Sequence, residues 1–230
     1  MLCSVLLVLE NKNIFISYYI NSLMDTLIQM LNLYPRDMLL KTIIINIILI
    51  YHKVRPGCAI EGITVNSHKT INIINTSLLD VLKTLKLKYK TRYNQFERSE
   101  TQINELKQKF GSNIKLFTPK PTFSIFISSK TLPKTSYTDK QWGRFLGYIC
   151  SSNDFREQKY INEGRYSFSV IEKSSKQEIL TEVCMKNQDL VKTIKYYQDF
   201  IQKGNKVLLK FNIQLKVKIQ NELTQKIIYL

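Results

Sequence analysis

From Phe211 to Gln220 the chain alternates without a fault. Phe211, Ile213, Leu215, Val217 and Ile219 fall on one side; Asn212, Gln214, Lys216, Lys218 and Gln220 fall on the other, with Lys210 in phase just before them. A period of two predicts a half-buried strand over 208–220 with a lysine-bearing face. LKTLKLKY (82–89) alternates Leu and Lys in the same way and predicts a second such strand. TFSIFIS (122–128) and RYSFSVIE (165–172) read as strands. So do AIEGITVN and TINIIN, two short runs joined as a hairpin around Asn66–Lys69, and NIKLFT (113–118) is extended. SKQEILTEVCM (175–185) fits a helix or a strand.

Helical spacing appears elsewhere. Residues 16–33 carry apolar side chains at helical intervals, and Pro35 interrupts them. Asp37 is placed to cap the next element, 38–52, whose β-branched run leaves helix and strand both open. VRPGC (54–58) is a turn. Ser99-Glu-Thr-Gln102 is a capping box, opening a helix through Lys109 that Gly111 ends. Thr138-Asp-Lys-Gln141 is a second one, opening DKQWGRFLGYI. Asn187 caps a helix over 188–203 that Gly204 ends. Runs of strands between helices, with no repeat and no low-complexity segment, give an α+β fold class.

Composition narrows the function. No segment is long and apolar enough to span a bilayer: MLLKTIIINIILIY (38–51) contains Lys41 and falls short of the roughly 20 residues a span needs, so it belongs in a core. MLCSVLLVLE has no basic residue before Lys12, which fits an N-terminal core strand better than a cleaved address. Cys3, Cys58, Cys150 and Cys184 are far apart, and the histidines are His52 and His68; no zinc spacing or disulfide framework arises. There is no P-loop, no dinucleotide-binding glycine motif, no H-E-x-x-H and no nucleophile elbow, so no enzyme and no cofactor is expected.

Charge points to a polyanion. The net charge is +16, and residues 83–134 carry 12 basic and 3 acidic groups. Codon bias offers a plainer source: the chain has one alanine, Ala59, and 7 Gly, with Ile, Lys, Asn and Tyr in abundance. AT-rich coding inflates lysine, yet it does not cluster it. The same bias suggests a gene carried by a mitochondrial genome and a protein of the mitochondrial matrix. GRYSFSV (164–170), with Tyr166 and Phe168 two apart, is only a faint match to an RNA-recognition strand, and a half-buried strand is the better reading. FLGYICSSND (145–154) has the rhythm of a homing-endonuclease helix without its glycine and acid.

The order from 82 onward resembles the small-subunit ribosomal protein ten family, whose member in transcription antitermination is NusE. LKLKYKTRYNQFERSETQINELKQKFG is similar to the family's first strand, helix and glycine; LFTPKPT to its proline-punctuated loop; FSIFISSK to the strand that follows. PKTSYTDKQWGRFLGYI resembles the lysine-rich loop and next helix, with Gln141–Trp142 at the Gln–aromatic pair and Arg144 near the family's arginine. LVKTIKYYQDFIQKGNKVLLKFNIQL resembles the closing helix, glycine turn and strand. The likeness covers 82–149 and 188–220. The glycine before the proline loop is missing, and the Ser-Pro-His triplet stands as Ser128-Ser129-Lys130.

The resemblance implies a ferredoxin-like core, four strands in one sheet with two helices on one face. It divides the chain into an N-terminal extension (1–80), the first part of the core with its RNA-binding loop (81–149), an insertion (150–187) and the final helix and strand with a short tail (188–230). It implies a structural protein of the small ribosomal subunit, bound to rRNA in the head beside proteins three, nine and fourteen, with no membrane contact. A non-ribosomal or intron-encoded RNA-binding protein of the same organelle is the alternative, and a scaffold whose charge is codon bias is a third. On the residues, Lys115, Lys120, Lys130, Lys134, Lys140 and Arg144 are candidates to neutralise phosphate, and Tyr137 to stack on a base, with Trp142 divided between stacking and core packing. Lys86, Lys88, Lys90 and Arg92 read as a phosphate-facing strip or as a guard against edge aggregation.

Overall fold

A computed structural model of the chain describes residues 22–64, 77–94, 104, 108, 122–134, 139–148, 166–184, 187–221 and 224–230. Residues 22–33 are helical (α1), and Pro35 separates them from α2 (Met38–Tyr51). Asp37 starts α2 as its spacing predicts: the carboxylate accepts the Leu40 N–H at 2.9 Å. Length settles helix against strand here. Leu40 and every residue from Thr42 to Ile50 are buried, so the helix needs partners on all sides. It finds them in both sheets and in the long C-terminal helix.

The first sheet holds β1 (Gly57–Thr64), β2 (Lys88–Asn94) and β3 (Thr122–Ser128), antiparallel in the order β1-β3-β2. A short helix, α3 (Leu79–Thr84), precedes β2, and α4 (Asp139–Leu146) follows β3. The second sheet holds β4 (Tyr166–Glu172), β5 (Glu178–Cys184), β6 (Leu215–Asn221) and β7 (Ile227–Tyr229), antiparallel in the order β5-β4-β6-β7. The 22-residue α5 (Asn187–Leu208) joins β5 to β6 and packs on that sheet, with Tyr197 stacked on Phe168 at 5.3 Å between ring centres. Class and strand content are those of an α+β protein.

Pairing departs from the ferredoxin-like core that the resemblance implies. That core needs β2, β3 and β6 in one sheet; β2 and β3 lie in one sheet and β6 in the other. β1, from the segment read as an extension, pairs with β3, and β4, from the segment read as an insertion, pairs with β6. The physical reason is matching faces. Val170 and Phe168 of β4 sit opposite Val217 and Ile219 of β6, closing one apolar layer. β3 is buried at all five positions from Ser124 to Ser128, so it requires a strand on each side and a cover on each face.

Three local readings are corrected. Residues 82–84 end a helix rather than begin a strand: Leu78, Val81, Leu82 and Leu85 are buried at helical spacing, and β2 starts only at Lys88. Gly204 lies inside α5 and does not end it. Residues 208–211 close α5 in a tight turn, and Asn212, at φ 53°, turns the chain into β6 at Leu215. Elsewhere β3 and β4 fall where their patterns put them, α4 starts at Asp139 as expected but stops at Leu146, before the Gly147 that the expected helix ran through, and 178–184 is a strand. Asn104 and Gln108 are helical, inside the first capping-box helix. The rest of that helix, the 66–69 hairpin, TINIIN, NIKLFT and the proline loop lie outside the described residues.

Candidate nucleic-acid interface

β2 presents its cations by alternation. Lys88, Lys90 and Arg92 pair with Ser128, Phe126 and Ser124 of β3, and Tyr89 and Thr91 pair with Ile127 and Ile125. Ile125, Ile127 and Cys58 belong to the core packed around α2. The sheet's other face therefore carries Lys88, Lys90, Arg92, Ser124, Phe126 and Ser128. α4 covers the β1 half of that face: the Trp142 ring lies 5.8 Å from Phe126, and Phe145 presses on Gly57, where a Cβ would stand 2.8 Å from its ring. On the β2 half, Lys88, Lys90 and Arg92 are exposed.

Two more cations join them at one end. Lys130, just past β3, and Arg144, from α4, line a pocket of about 270 Å³ with Ser128, Gln141 and Pro56. Lys88 is the pairing partner of Ser128, so it adjoins the same corner. The corner is held firmly. Pro56 O accepts from the Ser129 N–H at 3.2 Å and from the Ser128 hydroxyl at 3.3 Å, and Ser128 Oγ accepts the Lys130 N–H at 3.1 Å. Lys86 stands in the turn entering β2, and Lys134 follows the pocket in the loop; both are exposed. Among the described residues none of these seven cations forms an ion pair. Lys115, Lys120 and Tyr137 lie outside the described residues, as does the side chain of Lys140 in α4.

The lysine face of the C-terminal strand meets something different. Lys216 and Lys218 are half-buried, and Lys216 Nζ lies 4.3 Å from the centre of the Tyr229 ring on β7. Part of that face is thus covered by the chain's own last strand.

Arg55 escaped the sequence reading, which saw only a turn at 54–58. It is 2% exposed. Its Nη1 donates to Asn46 Oδ1 in α2, and its Nη2 to Leu146 O at 3.1 Å, tying α2 to the end of α4. A signal was present: Asn46 interrupts IIINIILI, and a polar residue there needs a buried partner. Close by, burial pushes the Cys58 thiol up to about 11, against the pull of the Arg55 charge, so Cys58 is a core residue and not a nucleophile at neutral pH. Burial, aided by Lys210, lowers His52. Among the described residues no cluster of His, Cys, Asp or Glu has the arrangement of a metal site, and no helix is long and apolar enough to cross a membrane.

No protein-family model, curated protein or solved structure matches this chain. Phosphates along one strand of a nucleic acid repeat at intervals comparable to alternate residues of a β-strand, roughly 6–7 Å. Lys88, Lys90 and Arg92 offer cations at that interval, and Lys130 and Arg144 line the pocket beside Ser128, the partner of Lys88.

Proposed function

We propose that the protein is a structural RNA-binding protein of the mitochondrial matrix, a constituent of the small ribosomal subunit. It holds rRNA by charge neutralisation and shape, and it performs no chemistry. The observation that carries this is the exposed basic row Lys88–Lys90–Arg92, without an ion pair among the described residues, with Lys130 and Arg144 at the adjoining pocket. The likeness of short motifs to ribosomal protein family ten supports rRNA as the polyanion and head proteins three, nine and fourteen as neighbours. The two-sheet pairing lends that likeness no support. It favours a second reading, a non-ribosomal RNA-binding protein of the same organelle, which uses the same face.

Two measurements test this. Sedimentation of tagged protein from organelle lysate in EDTA separates the readings: co-migration with small-subunit rRNA supports the ribosomal one, and migration in a lighter RNA-containing particle the other. Migration free of RNA sinks both. Charge reversal at Lys88, Lys90 and Arg92 is expected to flatten the dependence of log affinity on log salt. For single-stranded RNA the slope should fall by about 2, near 0.7 for each phosphate no longer neutralised. An unchanged slope would remove the face from the interface.

A further inference from the structure

One cleft is lined by an edge strand from each sheet. The strands are β1 and β5, and the cleft, of about 440 Å³, lies on the flank of α4 away from the basic row. Ala59 of β1 and Thr181 of β5 both line it, and Trp142 and Tyr148 supply aromatic wall. Arg55 also lines the cleft. Both groups that accept from Arg55, the Asn46 amide and the Leu146 carbonyl, are neutral. Its Nε has no partner, and among the described residues no carboxylate pairs with it. Its guanidinium is thus held in place and almost out of water, with no counter-charge among the described residues. A charge in that condition is costly, and its field reaches the neighbouring cleft with less screening than a surface charge would have. Glu178, exposed at the mouth, accepts from the Thr181 hydroxyl at 3.3 Å rather than from Arg55.

We propose that this cleft binds a nucleoside phosphate, with the anionic group drawn toward Arg55 and the flat base set against Trp142 and Tyr148. Aromatic walls favour a planar ring, and the buried guanidinium favours an anion. Glu178 repels anions at the mouth, which selects the orientation with phosphate inward. The nucleotide comes from one of two sources, a free mononucleotide or the unpaired end of an RNA strand.

Trp142 is the only tryptophan in the chain, so its fluorescence reports on the cleft. The full-length protein would be titrated with AMP, adenosine, inorganic phosphate and a short oligoadenylate. AMP or the oligonucleotide is expected to quench Trp142 saturably, with adenosine and inorganic phosphate each weaker by about ten-fold or more. Quenching by AMP assigns the site to a free nucleotide; quenching by the oligonucleotide alone assigns it to an RNA end. Thr181→Phe fills the cleft from an exposed position and leaves the bonds of Arg55 intact, so it should abolish quenching at an unchanged circular dichroism spectrum. Charge reversal of Lys88, Lys90 and Arg92 should leave AMP quenching unaltered, which separates this site from the basic row. No saturable quenching by either nucleotide, or equal quenching in a folded Thr181→Phe protein, overturns the proposal.

Discussion

Lys53 and Lys86 hold φ of 59° and 55° where α2 and α3 end, a conformation that favours glycine. The hydrogen bonds are those of a left-handed helix stop. After α3, Leu87 N donates to Leu82 O at 2.9 Å and Lys86 N to Lys83 O at 3.0 Å; after α2, Val54 N donates to Leu49 O at 2.8 Å and Lys53 N to Ile50 O at 3.0 Å. Asn212 plays the same part between α5 and β6. In a chain of 7 glycines and abundant lysine, the lysines bear the strain of left-handed backbone. Lys86→Gly is therefore expected to raise stability in urea unfolding by roughly 0.5–1 kcal/mol, the strain relieved less the added entropy of the unfolded chain. A loss of stability would mean that the Lys86 side chain packs rather than merely tolerates its place. This also explains why LKTLKLKY misleads. Leu82, Leu85 and Leu87 satisfy helix spacing and then alternation, and the switch occurs at a residue type that gives no turn signal.

At the scale of elements, the close approach of α5 to its neighbours depends on Gly204. A Cβ there would stand 3.2 Å from Leu215 Cδ1 of β6 and 3.4 Å from Leu49 Cδ2 of α2. The helix is held in that register by Asn205, whose amide donates to Leu215 O at 3.1 Å and accepts from Leu215 N at 2.6 Å. Gly204→Ala should be nearly neutral, since better helix propensity offsets a small shift of two flexible leucine ends. Gly204→Leu should cost on the order of 2–3 kcal/mol by overpacking, read as a lower melting temperature or urea midpoint. Equal stability of the two variants would contradict the three-way packing. In sequence, a glycine followed four residues later by Leu-Leu-Lys-Phe looks like a helix end. Only the crowding of α2 and β6 gives it another purpose. Gly147 does end its helix, at φ 79°, with Pro56 too close for a side chain.

At the scale of the whole molecule, one buried charge cluster joins α2 to the second sheet. Lys41 Nζ lies 3.2 Å from Glu172, whose carboxylate is 2% exposed. Burial pushes this carboxyl up, but hydrogen bonds from Ser174 and Ser175 outweigh burial and hold it at about 2, well below the usual 4.5. The folded value is the lower one, so the stabilisation is complete above pH 4.5 and is lost as pH falls toward 2. Glu172→Gln should be less stable at pH 7 by on the order of 2 kcal/mol. Its gap from the wild type should shrink between pH 4.5 and 2, as followed by urea unfolding at each pH. A gap that stays constant across that window would mean that the charge of Glu172 does not matter.

The sequence by itself determined what is local. Asp37 caps α2 because a carboxylate three residues before an N–H needs only its own turn. TFSIFIS is β3 because one strand's faces are written in consecutive residues. The cations of β2 are on one face because alternation puts them there. Tertiary structure decided which strands pair. β6 could close its apolar layer on any strand with a matching face, and β4 and β2 both offer alternating positions, so pattern alone does not choose between them. The choice follows from α2, buried all round, which needs a sheet on more than one side and so divides the strands into two. The Arg55 cleft depends on the same division, since its lining takes residues from an edge strand of each sheet.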